Sequence, residues 1–125
     1  MFQIKRIADP RLAERVCASF NVFQQGAFAY GAFQDGEILA TAAFTRSPEG
    51  CVTLHGVDTG RKTDLGLIDG MARAAFLAQL RQGATQGRLD TALPHALRLA
   101  LTKRNYALEG PFDLGEFFAK KCCGK

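Results

Sequence analysis

The sequence has no apolar run that approaches the roughly 18 residues of a membrane-spanning helix. Its first residues, MFQIKRIADPRL, place charges within the first apolar stretch and lack the apolar core of a secretory signal. We therefore expect no membrane association and a cytoplasmic location. Repeats, low-complexity tracts and Pro/Ser-rich linkers are also missing, so we expect residues 1–125 to form a single domain around one core.

Cysteine is too sparse and too irregularly spaced for the disulfide framework of a secreted protein. The four cysteines are Cys17, Cys51, Cys122 and Cys123, and the last two are adjacent. A disulfide between adjacent residues closes a strained ring, and the spacing of the cysteines and the two histidines does not match a metal site. We expect reduced thiols and no metal, with a redox or partner-linked role of Cys122 and Cys123 as an alternative.

Tryptophan is absent, and the aromatic residues are mostly the ten phenylalanines. The net charge of +4 suits an anionic ligand such as a nucleotide cofactor. Because the basic residues are scattered and do not alternate with aromatic residues, we expect no nucleic-acid binding. We predict that Phe28, Phe33, Phe44 and Phe76 fill core positions of the strands and helices. Phe20 and Phe23 are predicted to lie where a short helix leads toward the sheet, with the core as their default position.

The first half of the chain predicts one helix followed by an antiparallel meander. A strand is expected at 3–7, and a helix at 10–19 with Asp9 as its cap and Pro10 at its first position. Three strands are expected at 27–33, 37–46 and 51–58. Asp35-Gly36 is typical of a hairpin turn between the first two of them.

The second half of the chain alternates helix and strand. Apolar spacing predicts a helix at 63–82, a strand at 88–92 and a helix from Pro94 to Arg104. The sequence Asp113 to Glu116 is a capping pattern that predicts one more helical turn before two phenylalanines. The order β-α-β-β-β-α-β-α-β predicts an α/β (α+β) fold with a mixed, mainly antiparallel sheet, two parallel neighbouring strands and helices on both faces.

This order of elements, over nearly the whole chain, resembles the GCN5-related N-acetyltransferase (GNAT) superfamily, with one helix where the family usually has two. The family pattern Gln/Arg-x-x-Gly-x-Gly/Ala, which holds the pyrophosphate of acetyl-CoA, finds its best match in Thr63-Asp64-Leu65-Gly66-Leu67-Ile68. The helix sequence DGMARAAFLAQL follows this match. The chain departs from the pattern at Thr63 and Ile68, and Asp64 adds a negative charge.

The resemblance implies acetyl-CoA as the cofactor and assigns its binding to the loop and the first turn of the following helix. The candidate cofactor-binding residues are Val57, Arg61, Lys62, Leu65, Gly66 and Ile68. Arg61 and Lys62 carry positive charge that can offset Asp64, and near Val57 the family uses a backbone N–H to polarise the acetyl carbonyl.

The resemblance identifies no catalytic residue with the family's usual chemistry. Leu101 stands at the position of the tyrosine that commonly protonates the CoA thiolate, and Asn105 stands at that of a glycine in a left-handed helix cap. His55 lies on the strand where the family sometimes places a base, next to Gly56, which suggests a β-bulge. A structural role of His55 is the alternative.

Two functions follow from this sequence. The chain is interpreted as an acetyltransferase-like protein that transfers an acetyl group from acyl-CoA to a small amine. The alternative is a binding or interaction protein that keeps the fold without acetyl-CoA chemistry. Because proteins of this fold class often pair through sheet edges or helices, a homodimer is a further expectation.

Overall fold

The computed structural model describes residues 1–119, which form a six-stranded sheet and four helices. The strands are β1 (Phe2–Arg6), β2 (Ala27–Gln34), β3 (Glu37–Arg46), β4 (Cys51–Asp58), β5 (Gln86–Leu89) and β6 (Phe112–Asp113). The helices are α1 (Pro10–Ser19), α2 (Leu65–Arg81), α3 (His95–Thr102) and α4 (Leu114–Ala119). The predicted order of elements is confirmed.

The sheet follows the order β1-β2-β3-β4-β5-β6. Neighbouring strands from β1 to β4 are antiparallel, β4 and β5 are parallel, and β6 returns antiparallel beside β5. Helix α2 makes the connection between the two parallel strands, as the crossover rule requires. The predicted mixed, mainly antiparallel sheet is therefore confirmed.

Local sequence signals explain most of the element ends. Asp35 and Gly36 both have positive φ, of 52° and 88°, as a tight hairpin turn requires. The Asp9 carboxylate accepts a hydrogen bond from the Arg11 N–H at 3.0 Å, which caps α1. Asn105 has φ 78°, which confirms the predicted left-handed residue after α3.

Several predicted boundaries were wrong by one to three residues. The strand predicted at 88–92 lies at Gln86–Leu89, because Asp90 turns out of the sheet and its carboxylate accepts the Ala92 N–H at 3.0 Å. Helix α2 begins at Leu65 and not at residue 63, because Asp64 is its N-cap. At the C-terminal end, the predicted Asp-x-x-Glu cap is present, since the Asp113 carboxylate accepts the Glu116 N–H at 2.8 Å.

The sheet carries an apolar cluster on each face. The larger one packs α2, α3 and α4 against the sheet and contains the stacked pair Phe28–Phe44 and the edge-to-face pair Phe44–Phe76. The smaller one packs α1 against β2 and β3 and includes the partly buried Phe20 and Phe33. Phe23 lies between α1 and β2, as predicted, but it joins neither cluster and is 74% exposed, so it is not a core residue.

Candidate functional site

Strands β4 and β5 separate halfway along β4. Their last paired residues are Leu54 and Leu89, and the Asp90 N–H donates to the Leu54 carbonyl at 2.9 Å. Strand β4 continues to Asp58 without a partner in β5, while the chain after Asp90 turns into α3. The separation opens a cavity of about 700 Å³, which we call the notch.

Four segments form the walls of the notch. One wall is the free end of β4 and the loop that follows it, and another is the first turn of α2. The segment before α3 and the facing side of α3 form a third wall, and Phe20 and Asn21, which follow α1, form the fourth. The lining residues include Phe20, Asn21, His55, Gly56, Val57, Thr59, Thr63, Leu65, Ile68, Leu93, Leu97 and Ala100.

A β-bulge shapes the β4 wall. The β3–β4 register pairs Ala43 with Gly56 and Phe44 with Leu54, which leaves His55 as the extra residue. The bulge suggested by Gly56 is therefore confirmed. A Cβ atom at Gly56 would lie 2.3 Å from the Phe20 ring, so no residue larger than glycine fits there without displacing Phe20.

Both ring nitrogens of His55 have hydrogen-bond partners. Nδ1 lies 2.6 Å from Asp90 Oδ2, and Nε2 lies 2.7 Å from the Thr45 hydroxyl. An ionised Asp90 accepts the Nδ1 proton, so in the neutral ring Nε2 accepts from Thr45. A role of His55 as a base therefore requires Nε2 to leave the Thr45 hydroxyl.

The electrostatics of this group favour an ionised Asp90. Burial raises the pKa of the Asp90 carboxyl, but the hydrogen bonds from the Ala92 N–H and His55, with the charges of His55 and Arg88, lower that pKa below its ordinary value overall. The Asp90 carboxylate is thus held as the acceptor that orients the His55 ring beside the notch.

The loop between β4 and α2 satisfies its own polar groups. The Asp58 carboxylate accepts the Gly60 N–H at 2.9 Å, and the Thr59 hydroxyl donates to the Lys62 carbonyl at 2.7 Å. The same hydroxyl oxygen accepts the Asp64 N–H at 3.0 Å. These bonds order the loop without any ligand.

Asp64 occupies the position where an anion would bind the start of α2. Its carboxylate accepts the Leu67 N–H at 3.1 Å, and its carbonyl accepts the Ile68 N–H at 3.0 Å. Within residues 1–119, the Leu65 and Gly66 N–H groups have no such partner. The N-terminus of α2 therefore offers two free amides beside one fixed negative charge.

The candidate cofactor-binding residues divide into two groups. Val57, Leu65 and Ile68 line the notch, and Ile68 extends into the core with 1% of its surface exposed. Arg61 and Lys62 are exposed in the loop outside the lining. Gly66 lies in the first turn of α2, where an added Cβ would meet only the Asp64 carboxylate at 3.4 Å.

No tyrosine lies at the notch. Leu101 is fully buried in the core. The chain has two tyrosines, Tyr30 and Tyr106, and both are buried away from the notch lining. The Tyr106 hydroxyl donates to Asp69 at 2.7 Å, and burial followed by the Asp69 charge raises the pKa of the Tyr106 phenol.

Sequence reasoning missed Thr45 and Asp90 as partners of His55. The three residues come from β3, β4 and the turn after β5, and the His55 bonds span 10 and 35 positions along the chain. No local motif marks either residue. One signal was available: successive residues of a strand point to opposite faces, so the neighbour of the core residue Phe44 must point away from the larger apolar cluster.

The remaining sequence predictions concern metal ligands, membrane helices and cysteines. In the part of the chain that the structure describes, no three His, Cys, Asp or Glu side chains are grouped as metal ligands, and no helix is long and apolar enough to cross a membrane. Cys17 is buried and Cys51 half-buried, and both are free thiols. Cys122 and Cys123 lie outside the described residues.

We compared the sequence and the fold with those of known proteins. No protein-family model and no curated protein matches the sequence. Among solved structures, an IAA acetyltransferase from Bacillus cereus is similar at TM-score 0.61 and 19% identity, over 84% of this chain and 75% of that one. The ribosomal-protein-S18-alanine N-acetyltransferase from Escherichia coli is similar at TM-score 0.60 and 16% identity, over 82% and 75%.

A third similar structure was determined with acetyl-CoA bound. This GNAT family acetyltransferase from Elizabethkingia anophelis has TM-score 0.62 and 12% identity, over 83% of this chain and 74% of that one. At such low identity the likeness concerns the fold, and the fold agrees in strand order with the resemblance found in the sequence. We conclude that the chain is a small, divergent protein with the fold of the GCN5-related N-acetyltransferases.

Proposed function

We propose that the chain binds acyl-CoA in the notch and transfers the acyl group to an amine. The observation that carries the proposal is the separation of β4 from β5 after Leu54 and Leu89. It exposes an unpaired strand edge at the bottom of a cavity of about 700 Å³, which is large enough for the acyl end and pantetheine arm of CoA.

The walls of the notch fit the acyl end of acyl-CoA better than its phosphates. Leu65, Leu97 and Ala100 offer apolar surface to an acyl chain and its arm. The phosphates would meet the free Leu65 and Gly66 amides, with Arg61 and Lys62 nearby in the loop, but also the Asp64 carboxylate. We therefore expect weaker CoA binding than a loop without Asp64 would give.

Residues of the β4 wall would carry the chemistry. A backbone N–H near Val57 polarises the acyl carbonyl in this proposal. His55 accepts the amine proton once Nε2 leaves Thr45, while Asp90 stabilises the charged ring. The transfer does not require a tyrosine, because the CoA thiolate is a good leaving group and can take its proton from water.

A second candidate function is ligand binding without acyl transfer. Two observations favour it: Asp64 already takes a first-turn amide of α2, and the buried Leu101 offers no proton donor. In this case the notch binds CoA or another ligand, and the protein transfers no acyl group.

One pair of measurements separates the two candidates. Saturating acetyl-CoA, at about a hundredfold excess over its dissociation constant, should stabilise the protein by about 2.7 kcal/mol in a thermal-shift assay. Acetylation of a panel of amines, followed by mass spectrometry, then supports the enzyme. A thermal shift without acetylation supports the binding protein, and no shift at millimolar acetyl-CoA or CoA rules out the acyl-CoA proposal.

A further inference from the structure

A second cavity, of about 410 Å³, lies next to Thr45, the residue whose hydroxyl is bonded to His55. It is lined by polar side chains, including Thr45, Ser47, Cys51, Thr53 and Arg88, and no Asp or Glu is part of the lining. Helix α1 packs on β2 and β3, so this face of β4 and β5 is left to the loop at 20–26.

Three of the lining residues form a row across the sheet. Thr45 on β3 pairs with Thr53 on β4, and Thr53 pairs with Arg88 on β5. Side chains of directly paired residues lie about 5 Å apart on the same face. The row therefore places two hydroxyls and one guanidinium side by side.

Arg88 is the cation that this row leaves without a partner. Within the described part of the chain it has no ion pair and no side-chain hydrogen bond, whereas the other arginine at the cavity, Arg46, donates to Gln79 at 3.0 Å and to the Gln82 carbonyl at 3.3 Å. The nearby Asp90 carboxylate already accepts from His55 and Ala92. Because the Thr45 hydroxyl already donates to His55, the free donors of the row are the Thr53 hydroxyl and the Arg88 guanidinium. An anion is the ligand that these two donors bind best.

Two contacts connect the second cavity to the notch. The Thr45 hydroxyl lines the cavity and is bonded to His55, whose ring lines the notch. The loop at 20–26 borders both spaces, with Phe20 at the notch and Gln24 and Gln25 at the cavity. Thr53, which lines the second cavity, and Gly56, which lines the notch, are three residues apart along β4, a distance on the order of 10 Å.

We propose that the second cavity binds the anionic group of the acyl acceptor. The acceptor is then an amine that carries a carboxylate or phosphate group on the order of 10 Å from its amino group, which reaches the notch. This assignment of the acceptor rests on the proposed acyl transfer, but the anion site itself does not need acyl-CoA.

Binding of three matched probes tests the proposal. Aminocaproate, aminopentyl phosphate and the uncharged amide of aminocaproate are titrated into the protein, and backbone amide shifts are followed by NMR. Arg88→Gln removes the free cation, and Arg81→Gln removes an exposed arginine at the end of α2 as the matched control.

We expect shifts at Thr45, Thr53 and Arg88 with at least one anionic probe, and weakening of about tenfold or more in Arg88→Gln, as for loss of a charge-assisted hydrogen bond. Arg81→Gln should bind like the wild type, and the uncharged amide should bind about tenfold more weakly than aminocaproate. The preferred probe distinguishes carboxylate from phosphate.

The proposal is overturned if neither anionic probe shifts the amide signals of Thr45, Thr53 and Arg88. It is also overturned if Arg88→Gln binds the anionic probes with the affinity of the wild type. The acetyl-CoA thermal shift is measured on the same samples. Anion binding that depends on Arg88 without any CoA shift refutes the proposed acyl transfer alone, and a CoA shift without anion binding refutes the second site alone.

Discussion

Two walls of the notch, the β4 wall and the α2 wall, differ in the contacts that hold them in place. On the β4 wall, Gly56 lies against the Phe20 ring, and His55 is bonded to Thr45 and Asp90 from other strands. On the α2 wall, an added Cβ at Gly66 would meet only the Asp64 carboxylate at 3.4 Å, and Asp64 bonds only within its own loop and helix. The β4 wall depends on tertiary contacts, and the α2 wall depends on local sequence.

This difference separates a glycine required by packing from a glycine suggested by a motif. Gly66 is the residue that matches the family pattern, yet the protein around it leaves room for a methyl group. Gly56 matches no pattern, yet any side chain there collides with Phe20. A close approach at Gly66 could come only from a bound ligand.

Gly56→Ala should give the largest effect. We expect it to lower the free energy of unfolding by about 2 kcal/mol, because the Phe20 Cβ and ring both lie within 3.0 Å of the added methyl group. Urea unfolding measures the change. Gly66→Ala is the matched control and should change stability by less than about 1 kcal/mol. Equal effects of the two substitutions would remove the distinction between the walls.

Asp90→Asn should give an intermediate effect that depends on pH. We expect a loss of about 1.5 kcal/mol near neutral pH, because His55 loses its charged acceptor. The folded-state pKa of Asp90 is lowered, so its stabilisation is complete above the unfolded pKa of about 3.9 and is lost as the pH falls through the folded pKa.

The stability difference between wild type and Asp90→Asn should therefore shrink in acid. Urea unfolding of both proteins near neutral pH and at about pH 3 measures it. A difference that stays constant between the two conditions would mean that ionisation of Asp90 does not stabilise the β4 wall.

Asp64→Asn should give the smallest effect, and it concerns binding. Asparagine still caps α2, so stability should change little. Removing the carboxylate charge near the phosphates should tighten CoA binding about fivefold, or about 1 kcal/mol. Isothermal titration calorimetry measures the affinity. Unchanged or weaker binding would place the phosphates away from the start of α2.

Much of the fold could be predicted because its signals are local. Asp35-Gly36 specifies its turn, Asp9 and Asp113 cap their helices, and the apolar spacing of α2 defines its buried face. Strand β5 was misplaced because Gln86–Leu89 is short and polar at two of its four positions. Its position depends on pairing with β4, which no local signal reports.

The sequence predicted several residues that line the candidate site, on the α2 wall and on β4, but not the contacts that hold them. Val57, Leu65 and Ile68 were found because the loop and helix carry a recognisable order of residues, and they do line the notch. The partners of His55 and the row of Thr45, Thr53 and Arg88 depend on strand register. Register brings together residues far apart in sequence, so their grouping has no periodic pattern.

The sequence by itself determined the order of elements, the turns and caps, and thereby the mixed sheet, because each of these follows from residues a few positions apart. Tertiary structure decided where β4 and β5 separate, that His55 is held between Thr45 and Asp90, and that Arg88 has no side-chain partner within residues 1–119. These features arise from contacts between separate strands, which form only when the sheet is assembled.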